Sequence, residues 1–364
     1  MNLDRPAGDA IHVRELVRNL AALGHVVDVL SEAGGKDLEA SERIRVWGSG
    51  GDATQRLVIR AMRIAHRGRS DVVYERRLTP KIGFAVSMLS SIPLFVEVNG
   101  LPDQEQAIQQ GRTWRPSPVR QWARQRILHR ARSIVTVSEG ISRTLRDVYN
   151  INDSRLNVVP NGVDLERFRP MDQDAARLQL GVPPGLKVLG FTGLLTQWQG
   201  VDILLRALPL VRREHKAIVL VVGDGPDQQR LEALATSLGI QDHVRFVGAV
   251  PHSLVSTYIG SFDVAFCVKP PLLPGSPLKI REYIACGRPV VASAGTEYDF
   301  HILEEAGAGI LVKPNDTEEV AAATSWLLAN DVLRRDMGRR GRVYAEEHCS
   351  WAVTARKVAE ICAA

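Results

Sequence analysis

Cysteine is scarce in this chain, and so are aromatic residues and long apolar runs. Four cysteines occur among 364 residues (Cys267, Cys286, Cys349 and Cys362), with no C-x-x-C pair and no histidine cluster. A disulfide framework or a zinc site needs such spacing, so these thiols read as reduced packing groups of a cytosolic protein. His12, His25 and His129 show no metal spacing with one another either, and no metal is expected. Aromatic residues make up 5%, too few for the stacking platforms of a nucleic-acid binder, so no nucleic-acid partner is expected. The longest apolar stretch, residues 82–96, is broken by Ser87, Ser90, Ser91 and Pro93. It falls short of the ~18 residues of a spanning helix and reads as a helix, a turn and a strand.

The length fits two domains at ~100–200 residues each. Charge separates them: residues 1–170 carry a net +7 and residues 171–364 a net −2, so the basicity belongs to the first half. Short β-branched runs alternate with longer segments of helical period throughout. HVVDVL, IRVW, DVVYE, LFVEV, SIVTVS and LNVVP are the strands of the first half. KVLGFTG, AIVLVVGDG, VRFVG, DVAFCV, RPVVAS and GILV are those of the second. Apolar strands that each lead into a helix form parallel sheets covered on both faces. The fold class is α/β, with two doubly wound domains meeting at the polar, proline-bearing link RFRPMDQD.

One strand is missing. Residues 1–10, MNLDRPAGDA, read as a loop that runs straight into a helix. The first strand of a doubly wound domain is central, so its absence leaves its neighbours unpaired along their edges. Either the first domain is rebuilt or the natural start lies upstream of Met1, and the second reading is favoured.

Chemistry concentrates in GSPLKIREYIACGRPVVAS, residues 275–293. Ser276 reads as an N-cap and Pro277 as the first helical residue, with Gly287 ending the helix. The free N–H groups and partial positive charge of such a helix start suit an anion, and Lys279 lies in its first turn. Glu282, one turn after Leu278, could accept hydrogen bonds from ribose hydroxyls while a diphosphate sits at the helix start. The same pattern is also that of a capped helix with solvated charges. Upstream, Gly223, Asp224 and Gly225 form a strand-to-helix turn, and Gly193 with Gly200 repeats the layout in FTGLLTQWQG. Such turns lie where ligands gather outside the carboxyl ends of parallel strands. Trp198, beside that turn, suits either stacking on a ligand or packing. Residues 111–132 put Val119, Trp122, Ala123, Ile127 and Ala131 on one helical face among Arg120, Arg124, Arg126 and Arg130. This helix either lies on an anionic membrane or packs on the core with solvated arginines. The protein is thus read as cytoplasmic, and as peripheral at the inner membrane face if that helix meets lipid.

In order and spacing, GDAIHVRELVRNLAALGHVVDVL, VTVSEGISRTL, VVPNGVDLERFRP, VVGDGPDQQRLEALATSLGI, VRFVGAVPHSLVSTYIGSFDV and SPLKIREYIACGRPVVAS resemble glycosyltransferase family 4, the retaining GT-B enzymes, from Gly8 onward. The resemblance implies a GT-B fold with the domains facing a cleft: residues 1–170 bind acceptor and residues 171–345 bind nucleotide-sugar. Residues 346–364 then form a helix packing back toward the first domain. It implies transfer of a sugar, of hexosyl type, from a nucleotide diphosphate donor to a sugar, glycan or lipid-linked acceptor. The resemblance further implies retained configuration, no cofactor, no metal at the phosphates and no generally agreed covalent nucleophile. By position, Glu282 holds the donor ribose, Ser276, Leu278 and Lys279 line the diphosphate, and Gly8 belongs to a loop closing over it. Gly193, Asp224 and Gly225 join the donor site, and Val247 flanks the base through the backbone. Asn99 stands where many relatives have a histidine near the reacting sugar. Three departures matter. Pro274 stands where many relatives carry a first glutamate, and Leu194 and Gln199 replace an arginine and a lysine of the phosphate site. Lys279 is the expected substitute, joined on closure by Arg76 or Arg281. A non-catalytic nucleotide-binding relative and a GT-B sugar-nucleotide epimerase are the competing readings.

Overall fold

The computed structural model describes residues 2–4, 8–35, 38, 41–48, 54–109, 112–114, 117–270, 274–295 and 298–364. Two compact units emerge, one of Met1–Gly162, Leu273–Ser276 and Trp351–Ala364, the other of Val163–Leu272 and Pro277–Ser350. The division falls after Gly162, ahead of the polar link, and the last helix belongs to the first unit.

The first unit contains α1 (Gly8–Ala22), β1 (Val27–Ser31), β2 (Ile44–Gly48), α2 (Thr54–Gly68), β3 (Val73–Glu75), α3 (Lys81–Ser90) and β4 (Leu94–Val98). It continues with α4 (Pro102–Gln109), α5 (Pro118–Leu128), β5 (Ser133–Thr136), α6 (Glu139–Tyr149) and β6 (Leu156–Val158). Local chemistry sets the boundaries: Ser138 accepts from Ile141 N to cap α6, and Asn150 ends it in the left-handed region. All strand pairs are parallel, but they form two sheets, β1-β2 and β3-β4-β5-β6. Among the described residues no ladder joins the two sheets. Asn2 makes an isolated parallel bridge to Ala33. Leu3 is buried with Val17, Ala21, Val29, Leu38 and Ile44.

The second unit runs through α7 (Gln173–Gln179), β7 (Lys187–Thr192), α8 (Val201–Val211), β8 (Ala217–Val222), α9 (Gln228–Ser237), β9 (Val244–Gly248) and α10 (His252–Ser261). It closes with β10 (Val264–Cys267), α11 (Leu278–Ala285), β11 (Val290–Ser293), α12 (His301–Glu305), β12 (Gly309–Val312), α13 (Thr317–Ala329) and α14 (Asp331–His348). Its six strands are parallel in the order β12-β11-β10-β7-β8-β9. Successive residues point to opposite faces, so two cores form. Leu189, Val219, Val221 and Phe266 pack with α8 and α13, while Val188, Leu220, Val222 and Ala265 pack with α10 and α11. Strand order reverses between β7 and β10, and the carboxyl ends at such a switch point open the crevice where ligands bind in doubly wound sheets.

The chain then returns to the first unit as α15 (Trp351–Ala363). Ala355 and Val358 are buried there with Leu16 of α1, Val135 of β5 and Val159.

Candidate functional site

The switch point of the second unit is built by backbone. After β7, Gly193 takes φ +131°, and after β8, Gly223 takes φ +126°. A Cβ on Gly223 would stand 2.0 Å from Gly193 O, and one on Gly225 would stand 2.3 Å from Leu195 O. Leu195 N donates to Asp224 O at 2.7 Å, locking the two turns together. The G-D-G motif therefore does more than reverse the chain: it lets two turns nest where any side chain would collide. Asp224 itself is exposed, and so is Leu194, an apolar residue in the turn where a cation was the family expectation.

Tyr283 of α11 fixes the helix against the end of β7, its hydroxyl accepting from Thr192 N at 2.8 Å. Lys279 lies one turn earlier and is buried. Its Nζ donates to Gln199 Oε1 at 3.0 Å and sits 3.8 Å from the centroid of the Phe191 ring. A Cβ on Gly193 would come within 2.9 Å of that Nζ, so the glycine leaves the ammonium its place. Burial lowers the Lys279 pKa to about 7. Glu282 is half-buried, and burial raises its carboxyl to about 7 against the pull of Lys279 and Arg167. Among the described residues that carboxylate has no hydrogen bond or ion pair. A lysine and an unoccupied carboxylate thus lie one turn apart beside the switch point.

Two expectations for this segment are corrected. The helix starts at Leu278 with Pro277 at the N-cap position and no side-chain cap. Ser276, a member of the first unit, instead accepts Asn161 N at its Oγ (3.4 Å) and Asn161 Nδ2 at its carbonyl (2.7 Å). Arg281 cannot supply a replacement cation, because it is buried in an ion pair with Asp299. Leu278, Val247 on β9 and Trp198 in the 3-10 turn Gln197–Gln199 are all half-buried.

In the first unit Gly8 opens α1 and is exposed. Asn99 follows β4, its Nδ2 3.5 Å from His12 Nδ1, and its Oδ1 is buried with no hydrogen-bond partner among the described residues. Next to it lies a cluster that sequence reasoning passed over. Glu97 of β4 stands 2.7 Å from His12 Nε2 and 3.4 Å from Arg76 Nε, and accepts from Tyr74 OH at 2.6 Å. Burial alone would raise the Glu97 carboxyl, but His12, Arg76 and Tyr74 together hold it at about 2. His12 Nδ1 lies 2.7 Å from Asn161 Oδ1, and the Trp351 ring meets the imidazole edge-on. Arg76 is therefore engaged by Glu97. The signal was in LFVEV: an acidic residue inside a strand buried along its whole length has to be paired.

The basic segment splits. Gly111, Arg115 and Pro116 lie outside the described residues, and the helix is α5 alone. Val119 and Trp122 are exposed, Ile127 is half-buried and Ala131 is buried beyond the helix end, so the expected stripe is not one face. Arg124 turns inward to Asp103 (2.6 Å), Thr79 and Tyr149. Arg126 stacks on Trp122 at 4.7 Å, beside a groove of about 510 Å³ lined by Phe84, Met88, His129 and Arg130. Among the described residues, no three His, Cys, Asp or Glu side chains converge as metal ligands would, and no helix is long and apolar enough to cross a membrane.

Comparison with known proteins adds identity to this geometry. Residues 6–167 match the model of Glycosyltransferase Family 4, and residues 172–344 that of Glycosyl transferases group 1. A D-inositol 3-phosphate glycosyltransferase of Geodermatophilus obscurus is 32% identical over 93% of this chain and 82% of its own. An MMP alpha-(1->4)-mannosyltransferase of Mycolicibacterium hassiacum is 25% identical over 97% of this chain and 93% of its own. Among solved structures, Anabaena HepE in complex with UDP superposes with a TM-score of 0.79, at 20% identity over 99% of this chain and 97% of that one. The chain belongs to glycosyltransferase family 4 and is a glycosyltransferase of GT-B fold.

Proposed function

We propose that this enzyme transfers a hexose from a nucleotide diphosphate donor, with retention, to a sugar, glycan or lipid-linked acceptor. The observation that carries the reading is the pair on α11. The half-buried Glu282 carboxylate has no partner among the described residues, and the Lys279 ammonium lies beside the switch point. Two ribose hydroxyls satisfy the carboxylate. Lys279 stabilises charge developing on the leaving diphosphate, in the role that positioned cations play at phosphoryl groups. Gly193, Gly223 and Gly225 let the phosphates approach the backbone, with Asp224, Leu278 and Val247 at the rim toward ribose and base. Gly8, at the start of α1, and Ser276, held by Asn161, are the first unit's own candidates for contacts with the donor. Asn99 offers its open Oδ1 to a hydroxyl near the reacting carbon. Among the relatives' names, that of the D-inositol 3-phosphate glycosyltransferase supports a polar acceptor and that of the mannosyltransferase supports transfer of a hexose, while retention rests on the family resemblance.

A membrane-borne acceptor is supported by the first unit's surface. Met88, Leu89, Val119 and Trp122 are exposed together with Arg126, Arg130 and His129, a mix that suits an anionic lipid surface. Four free cysteines fit a cytoplasmic setting.

The test begins with a thermal-shift panel of nucleoside diphosphates, UDP and GDP first. A ligand at 100 times its dissociation constant stabilises by ~2.7 kcal/mol. Transfer is then assayed with the matching nucleotide-sugars, and nuclear magnetic resonance of each donor alone checks for epimerisation. Lys279→Met should lower turnover more than donor affinity. An equal loss in both, or none in turnover, removes Lys279 from the catalytic site, and a new epimer from donor alone overturns transfer.

A further inference from the structure

The two residues that replace the cations expected in the β7 turn behave differently. Leu194 points to solvent, whereas Gln199 is half-buried and meets Lys279. An ammonium has three N–H donors and no acceptor. At Lys279 one of them goes to Gln199 Oε1, the single hydrogen bond this side chain makes among the described residues. The face of Phe191 attracts the charge from another side, and Gly193 leaves space on a third. Four carbons and four rotatable bonds would otherwise let this head group wander, so something must fix where its charge stands.

We propose that Gln199 is the positioning residue of Lys279, its side-chain carbonyl holding the ammonium at the carboxyl edge between β7 and β10. The inference rests on the reading of Lys279 as the diphosphate cation. Chemistry explains why the holder is an amide. A carboxylate at position 199 would hold the ammonium more firmly, but would cancel the charge that an arriving diphosphate needs. An apolar residue would leave the buried charge without an acceptor. The amide oxygen orients the cation and leaves its charge whole. The ionisable groups around Lys279 are Glu282 on its own helix, Cys267 at the end of β10 and Lys269 just beyond it. Arg167 acts on Glu282 from the start of the second unit. None of these hydrogen-bonds the Lys279 ammonium among the described residues, so Gln199 is the contact that substitution can remove cleanly.

The experiment reads Lys279 directly. In protein labelled with 13C-lysine, its Cε resonance is assigned by its loss in Lys279→Met and followed from pH 5 to 11. Gln199→Leu should move the midpoint down and Gln199→Glu should move it up, each by about one pH unit, since one removes an acceptor and the other adds a charge. Both variants should bind UDP or GDP, whichever the wild type binds, more weakly. For Gln199→Leu the loss should be greater at pH 8 than at pH 6, and Gln199→Asn, whose carbonyl falls short, should resemble Gln199→Leu. Unchanged midpoints in folded variants overturn the proposal whatever happens to activity. Midpoints that move while Lys279→Met transfers sugar normally leave Gln199 as the positioning residue and overturn only the diphosphate role of Lys279.

Discussion

Replacing Glu282 by glutamine should weaken donor binding and stabilise the fold, two effects of opposite sign from one atom pair. Burial raises the folded carboxyl from the ordinary 4.5 to about 7. Between those values the folded state holds more protons than the unfolded one, so stability falls as pH rises from 4.5 toward 7 and stays reduced above it. The buried charge thus costs on the order of 3 kcal/mol at neutral pH, at about 1.36 kcal/mol for each pH unit separating the folded and unfolded carboxyl. Glu282→Gln removes that cost, and at about 2–4 °C for each kcal/mol the second unit should melt roughly 6–12 °C higher at pH 8. The gain should fade as pH falls toward 4.5, where the wild-type carboxyl is neutral as well. Donor affinity should move the other way. Ribose hydroxyls bonded to a carboxylate contribute ~1.5–3 kcal/mol, so the variant should bind nucleotide about tenfold to a hundredfold more weakly. In the wild type, affinity should drop below pH 7 as Glu282 protonates, and this acid limb should vanish in the variant. Calorimetric titration and scanning calorimetry across pH 5–9 measure both. Wild-type affinity in Glu282→Gln would show that the carboxylate does not meet the donor. A lower melting point would show that it has a structural partner instead.

Lys279→Met should likewise raise the melting point at neutral pH. Its folded pKa is lowered, so the unfavourable contribution is full below about 7 and fades as pH rises toward 10.5. A lower melting point at pH 7 would contradict this. Gly223→Ala places a Cβ 2.0 Å from Gly193 O at a positive φ, and should destabilise the second unit by at least ~3 kcal/mol in urea titration. A wild-type midpoint would disprove the nested turns. His12→Ala leaves Glu97 short of a buried partner and should cost the first unit about 3–5 kcal/mol, with much of it recovered by adding Glu97→Leu. A double variant no better than the single one would refute the pairing. Arg126→Ala should weaken sedimentation with anionic vesicles by ~1 kcal/mol, about fivefold, while neutral vesicles show no change. Equal partitioning onto both would remove the membrane surface.

All twelve strands among the described residues were legible, because a parallel strand buried on both faces has to be an apolar run, as Leu94–Val98 and Ala217–Val222 are. That Glu282 and Lys279 lie on a helix that starts behind a strand and a proline was legible too. The partners were not. Nothing local says that Gln199 and Lys279 meet, since contact across 80 positions depends on strand order and on Tyr283 seating its helix. Ser276 misled for a related reason. Its hydroxyl suits a cap by propensity, but Asn161 competes for the same groups from 115 residues away and wins. Arg124 was read as a surface charge because its inward partners Asp103 and Tyr149 lie on other elements. Propensity describes what a residue does alone, and each of these was decided by a neighbour distant in sequence.

The return of α15 to the first unit inverts the usual order of assembly during synthesis. Chains commonly fold from the amino end, each domain closing as it leaves the ribosome. Here the second unit lies almost wholly within the stretch from Val163 to Ser350, so it can complete its sheet while the first still waits. Until Trp351, Ala355 and Val358 are made, His12 lacks its aromatic neighbour, and Leu16, Val135 and Val159 lack their cover. The first unit is begun first and finished last. A nascent chain stalled shortly before Trp351 should therefore carry a protease-resistant second unit beside an unfinished first one.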